Sequence, residues 1–125
     1  MGLRYLTLVA ALIGLGGCAS YESSSSNRSV AELMAAAESD NGEADPAKVR
    51  YIDGQLDALR KKCNDTRKRL ASYGEFGRDD LKKHGITAAP SLVLHEMNRS
   101  IPPGYQRESC SGILAGYLVI RENGG

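Results

Sequence analysis

Residues 45–74 read DPAKVRYIDGQLDALRKKCNDTRKRLASYG, and this stretch decides the fold. One set of its side chains recurs at spacings of three and four, which is the period of one face of an α-helix. This seam consists of Val49, Ile52, Leu56, Leu59, Cys63, Thr66, Leu70 and Tyr73. The pattern predicts an amphipathic helix that buries the seam against the rest of a small domain.

Both ends of this helix carry the expected signals. Asp45 suits the capping position, where its carboxylate accepts from free first-turn amides, and Pro46 suits the first helical position. Gly74 is placed to end the helix, which would then be about 40 Å long. A coiled coil is the alternative, but Cys63 and Thr66 dilute the seam, so the pattern favours the long helix of a compact bundle.

Three shorter helices are predicted after this one. The first covers 78–84 and is closed by Gly85, and the second begins at Pro90 or Thr87. The third covers about 103–122, beyond a proline-rich break. Its inward-facing side chains are expected to be Cys110, Ile113, Leu114, Tyr117 and Ile120. The predicted fold class is therefore all-α, a small bundle of three or four helices.

The last predicted helix has two further features. Gly112 and Gly116 lie four residues apart, and we expect them to let a neighbouring helix approach closely. Leu118 and Val119 make the helix apolar on more than one side, which predicts that it is either central or covered by something else. A strand over 118–120 is the alternative interpretation of this run.

The N-terminus is typical of an export signal. Arg4 gives it a basic start, and the apolar run that follows is shorter than the ~20 residues that a membrane-spanning helix needs. The run ends in Leu15-Gly16-Gly17-Cys18, which resembles the lipobox of bacterial lipoproteins. In that class the chain is cut before the cysteine, whose thiolate accepts a diacylglycerol. An ordinary signal peptide with an incidental cysteine is the alternative.

This resemblance implies three segments. Residues 1–17 are the signal peptide and are removed, 18–45 hold the lipidated Cys18 and a serine-rich flexible tether, and 46–125 form the helical domain. A short helical stretch within the tether is left open. Ala19 after the cysteine resembles an outer-membrane address, so we expect an anchored protein that faces the periplasm.

The net charge and the cysteines bear on the type of partner and on how the domain is stabilised. An exported chain with a net charge of +1 gives no basis for nucleic-acid binding. Export also favours oxidation, so Cys63 and Cys110 are predicted to form a disulfide that contributes about 4 kcal/mol. If the bridge joins two antiparallel helices, it sets their register. The pairs expected from that register are Leu59 with Leu114 and Leu56 with Tyr117.

The sequence offers few candidates for chemistry. The cysteines with His84 and His95 could form a zinc site, but their spacing is not that of close metal ligands, and no metal or other cofactor is expected. His95 beside Glu96 could suggest acid–base chemistry, although a surface histidine is the commoner interpretation. No nucleophile elbow or phosphate-binding loop occurs in the chain, so we do not expect an enzyme.

Two runs of basic residues form the main candidate contact site. Residues 60–62 and 67–69 lie seven apart and would share one flank of the predicted long helix. Such a stripe could meet anionic lipid or an acidic partner, and a solvated face is the alternative. The residues assigned to this contact are Arg60, Lys61, Arg67 and Lys68.

The anchor and the lack of catalytic motifs together indicate a lipid-anchored accessory or binding lipoprotein of the cell envelope. The membrane would be contacted through the lipid, and an envelope protein would be the partner. An inhibitor, immunity or exclusion lipoprotein is one alternative. A small envelope hydrolase is another.

Overall fold

The computed structural model describes residues 28–105 and 108–124, and these form five α-helices with no strand among them. The all-α prediction is confirmed, although the five helices exceed the three or four expected. The predicted signal peptide and Cys18 lie outside the described residues. The helices are α1 (Val30–Glu38), α2 (Pro46–Lys62), α3 (Arg67–Lys83), α4 (Pro90–Ser100) and α5 (Ser111–Glu122).

Helix α1 belongs to the folded unit, although it lies inside the segment 18–45 that was predicted as a tether. Its start is fixed by a capping box, in which the Ser29 hydroxyl accepts from the Glu32 amide at 3.1 Å and the Glu32 carboxylate accepts from the Ser29 amide at 2.8 Å. The side chains that it buries in the core are Ala31, Met34 and Ala35. The described bundle therefore includes Val30–Glu38 as well as the helices from Pro46 onward.

The predicted single helix over 46–73 is wrong, because the chain turns between Lys62 and Arg67. Thr66 lies at the start of α3, where its hydroxyl accepts from the Arg69 amide at 3.1 Å. Cys63 is fully buried at the end of α2. The two residues that dilute the seam are thus the ones that mark the break.

Helix α3 continues through Gly74 and takes in the short helix predicted over 78–84. Its end was predicted correctly, because Gly85 follows the helix with a φ of +76°, a conformation that favours glycine. Helix α4 begins at Pro90, which is one of the two predicted starts. The broken segment at 101–104 separates it from α5.

Glycines inside α3 allow α4 to pack closely against it. A Cβ atom built on Gly74 would lie 2.9 Å from the Pro90 carbonyl oxygen, and one built on Gly77 would lie 2.7 Å from Val93 Cγ1. The expectation of close packing at Gly112 and Gly116 is wrong, since a Cβ at either position has no neighbour within 4 Å.

The Cys63–Cys110 disulfide is confirmed, with Cα atoms 5.4 Å apart, but it does not join antiparallel helices. Helix α5 packs on α3 and α4 and makes no contact with α2 among the described residues, so the predicted pairing of Leu59 with Leu114 and of Leu56 with Tyr117 is wrong. Helices α3 and α5 instead run parallel. The disulfide lies where both begin, and His84 lies 3.5 Å from Glu122 where both end.

Candidate functional surface

The basic residues of the predicted contact site lie on two helices rather than on one flank of a single helix. Arg60 and Lys61 end α2, whereas Arg67 and Lys68 begin α3. All except Arg67 are exposed. The turn between the helices removes the continuous stripe on which the prediction depended.

Arg67 is engaged within the fold. Its guanidinium donates hydrogen bonds to the carboxylates of Asp53 and Asp57 on α2, and its side chain is only 26% exposed. This ion pair spans the break between α2 and α3, with two acids facing one base. Arg67 therefore links α2 and α3, and the carboxylates of Asp53 and Asp57 neutralise its charge within the fold.

The most unusual surface of the described residues is the outer side of α5. We call it the α5 face, and its members are Gly112, Ala115, Gly116, Val119 and Ile120. All five are exposed and none is charged. Val119 is 58% and Ile120 60% exposed, which corrects the expectation that Ile120 points inward. The inward positions are Leu114, Tyr117 and Leu118.

An apolar groove adjoins this face between α3 and α5. Its volume is about 550 Å³, and it shares Ala115 with the α5 face. Phe76 lines it from α3 and is 58% exposed. The other lining residues are Ser72, Tyr73, Ser111, Leu114 and Leu118. The groove and the α5 face form one apolar surface with three large exposed side chains, a feature typical of interaction sites.

Only part of this surface had a signal in the sequence. Leu118 and Val119 indicated a helix that is apolar on two sides, and the structure shows that α5 lies at the surface with one of those sides uncovered. Phe76 carried no signal, because it lies beyond Gly74, where the helix was predicted to end.

A second cavity of about 460 Å³ lies between α1, α3 and the segment before α4. Its buried acid is Glu38, which accepts hydrogen bonds from the amide and the hydroxyl of Ser91 at 2.9 and 2.7 Å and pairs with Lys48 at 3.4 Å. Ala89 provides no side-chain cap for α4, so Glu38 caps that helix from α1. Glu38 and Ser91 therefore hold α1 and α4 together.

The groups considered for metal or acid–base chemistry do not meet as the sequence suggested. Cys63 and Cys110 are bonded to each other where α3 begins, and His84 follows the end of that helix. His95 lies on α4 beside Tyr51, with ring centroids 6.2 Å apart. Its neighbour Glu96 pairs with Arg121 at 3.6 Å.

Within residues 28–105 and 108–124, no helix combines the length and the apolar character that crossing a membrane takes. No protein-family model, curated protein or solved structure matches the chain. The surface geometry and the N-terminal sequence are therefore the basis for a functional interpretation.

Proposed function

We propose that this protein is a lipid-anchored accessory protein of the cell envelope that binds a protein partner through the α5 face. The observation that carries the proposal is the pair Val119 and Ile120, both more than half exposed on a helix side that has no charge. Exposing large apolar side chains is unfavourable in water by about 25 cal/mol per Å², and a partner that covers them recovers this free energy.

The chemistry of the α5 face favours a protein segment over a membrane surface. Surface helices that bind anionic lipid carry lysine and arginine along the edge of their apolar face. The nearest basic residue on α5 is Arg121, whose guanidinium donates to the Tyr117 hydroxyl at 3.1 Å and pairs with Glu96. Gly112 and Gly116 leave open space above the helix, which suits the close approach of an apolar helix from the partner.

The lipobox supports the anchored part of the proposal. Lipid on Cys18 would hold the protein on a membrane, and the outer membrane facing the periplasm is the proposed location. Because the described bundle already includes Val30, only a short segment separates the lipid from the folded unit. The α5 face would then act on a partner that lies near the membrane surface.

Photo-crosslinking in living cells tests the contact. A photoreactive residue is placed at Ala115 in the full-length protein, with the same residue at exposed Ala47 on α2 as the matched control. We expect a protein adduct of one defined mass from position 115 and none from position 47. Ile120→Glu, combined with the probe at 115, should abolish the adduct because it places a charge in the apolar contact.

Three outcomes contradict the proposed contact. These are adducts of equal yield from both positions, an adduct with twice the mass of the protein itself, and lipid adducts alone. The anchor is tested separately by the intact mass of protein extracted from membranes. We expect the mass of the chain from Cys18 plus acyl groups, and an unacylated mass would exclude a lipid anchor.

A further inference from the structure

Three side chains with metal-ligating atoms meet where α3 and α5 end. Asp80 lies in the last turn of α3, and His84 follows that helix with its Nδ1 atom 3.1 Å from the Asp80 carbonyl oxygen. Glu122 comes from the last turn of α5. One ligand atom from each of the three lies within 4.8 Å of the others. We call this group the C-terminal cluster. No sequence pattern predicted this cluster, because Glu122 is remote from the other two residues along the chain.

The electrostatics of the C-terminal cluster are unfavourable for two carboxylates. Parallel helices bring two C-terminal ends together, and each end carries the equivalent of about half a negative charge. A hydrogen bond with Asp80, burial and the Asp80 charge raise the pKa of Glu122, which the neighbouring His84 lowers. The cluster thus concentrates negative potential at a point where the ionised form of Glu122 is already disfavoured.

The cations of the surrounding surface do not relieve this concentration. Arg121 is directed to Tyr117 and Glu96, and no described lysine or arginine forms an ion pair with Asp80 or Glu122. The Glu122 side chain is 18% exposed, and its Oε2 atom is buried with no hydrogen-bond partner among the described residues. The same oxygen lies 3.5 Å from Nδ1 of His84, the third member of the cluster, and a bound cation would satisfy it.

We propose that the C-terminal cluster binds a divalent transition-metal ion, with Zn²⁺ as the best match. The ligands would be one oxygen each from Asp80 and Glu122 and one nitrogen of His84. Three protein ligands of this kind, with water completing the shell, suit Zn²⁺, whereas Mg²⁺ and Ca²⁺ prefer sets made only of oxygen. Two ligands spaced four residues apart, as Asp80 and His84 are at the end of α3, are a common arrangement for holding one metal.

A bound ion would have a structural consequence. It would neutralise the carboxylates and join the ends of α3 and α5 that lie opposite the disulfide. Helix α5 would then be held at both ends, which would fix the position of the α5 face. The metal site does not depend on the proposed partner, because its ligands lie outside that face.

Zinc binding to a tag-free chain with an intact disulfide tests the inference. Calorimetric titration with ZnCl₂ should give one site per chain, and Co²⁺ should give visible absorption bands of a nitrogen- and oxygen-ligated ion. The chain has two histidines, which makes a matched pair of variants available. We expect His84→Asn to weaken Zn²⁺ binding by more than about tenfold and His95→Asn to leave it unchanged.

Carboxylate variants complete the test. Glu122→Gln should also weaken Zn²⁺ binding by more than about tenfold, while Glu108→Gln at an exposed position outside the cluster should not. Circular dichroism checks that each variant keeps its helices. The inference is overturned if both histidine variants bind Zn²⁺ as the parent does, if the parent binds none, or if Mg²⁺ binds as tightly as Zn²⁺. The last result would indicate a diffuse acidic patch.

Discussion

Negative charge is hydrogen-bonded at one end of the parallel pair α3 and α5, whereas at the other end one buried carboxylate oxygen lacks such bonds among the described residues. Where both helices begin, the buried carboxylate of Asp65 accepts from the Cys110 amide at 2.7 Å, the Tyr73 hydroxyl at 3.1 Å and the Ser109 hydroxyl at 3.2 Å. Where both end, Asp80 and Glu122 face each other, and a buried oxygen has no donor among the described residues.

Helix polarity explains the difference. Backbone amides that lack a partner in the helix give its N-terminal end a partial positive charge, so Asp65 is stabilised there. The carbonyl groups at the C-terminal ends give the opposite sign, so the ionised form of Glu122 is disfavoured there. At the N-terminal end of the pair, hydrogen-bond donors from the chain itself satisfy the buried carboxylate. At the C-terminal end, a bound proton or cation would stabilise the carboxyl groups.

We expect the largest change in stability from removing the Cys63–Cys110 disulfide, which lies where α3 and α5 begin. Replacing both Cys63 and Cys110 by alanine opens a loop with a sequence separation of 47 residues. We expect the free energy of unfolding to fall by about 4 kcal/mol, measured by denaturant titration of both proteins. A loss below about 1 kcal/mol would mean that the hydrogen bonds of Asp65 hold this end without the bridge.

Asp65→Asn tests the buried carboxylate itself. The substitution replaces an accepting oxygen by an NH₂ group, which would face three hydrogen-bond donors. We therefore expect a loss of about 1–3 kcal/mol in the free energy of unfolding. The exposed Asp40 gives the control, because Asp40→Asn should change stability by less than about 0.5 kcal/mol. Equal effects of the two variants would remove the distinction between the ends.

Gly77 lies between the two ends, and Gly77→Ala tests the packing there. The new Cβ would lie 2.7 Å from Val93 Cγ1 and 3.4 Å from Leu114 Cδ1. Valine is stiff at its branch point, so we expect a loss of about 1–3 kcal/mol by thermal or denaturant unfolding. Gly116→Ala meets open space and should instead gain up to about 1 kcal/mol from helix propensity.

The smallest effect is expected at the C-terminal end, from Glu122→Gln in the presence of a chelator. The folded pKa of Glu122 is raised above its ordinary value of 4.5, so its stabilising contribution is present below that value and is lost as pH rises through the folded pKa. The variant should therefore melt slightly higher than the parent at pH 7, with the advantage shrinking as pH falls through the folded pKa of Glu122 and nearly absent below 4.5. An advantage that is constant with pH would contradict the charge repulsion.

The local features of this protein could be predicted from its amino-acid sequence. The spacing of apolar residues indicated helices, Pro90 and Gly85 marked where one begins and another ends, and an even pair of cysteines indicated the disulfide. Each of these signals acts between residues that are close along the chain or, for the cysteines, through a bond that only two residues can make. They were sufficient for the fold class and for the bridge.

Only the tertiary structure decided how the helices are arranged. The break at Cys63 and Thr66 preserves the spacing of the seam, so periodicity could not separate two helices from one long helix. The short α1 would be marginal alone, and it is stable because the core covers Met34 and because its Glu38 caps α4. The parallel course of α3 and α5, and with it the C-terminal cluster, depends on packing between distant segments, which no local pattern encodes.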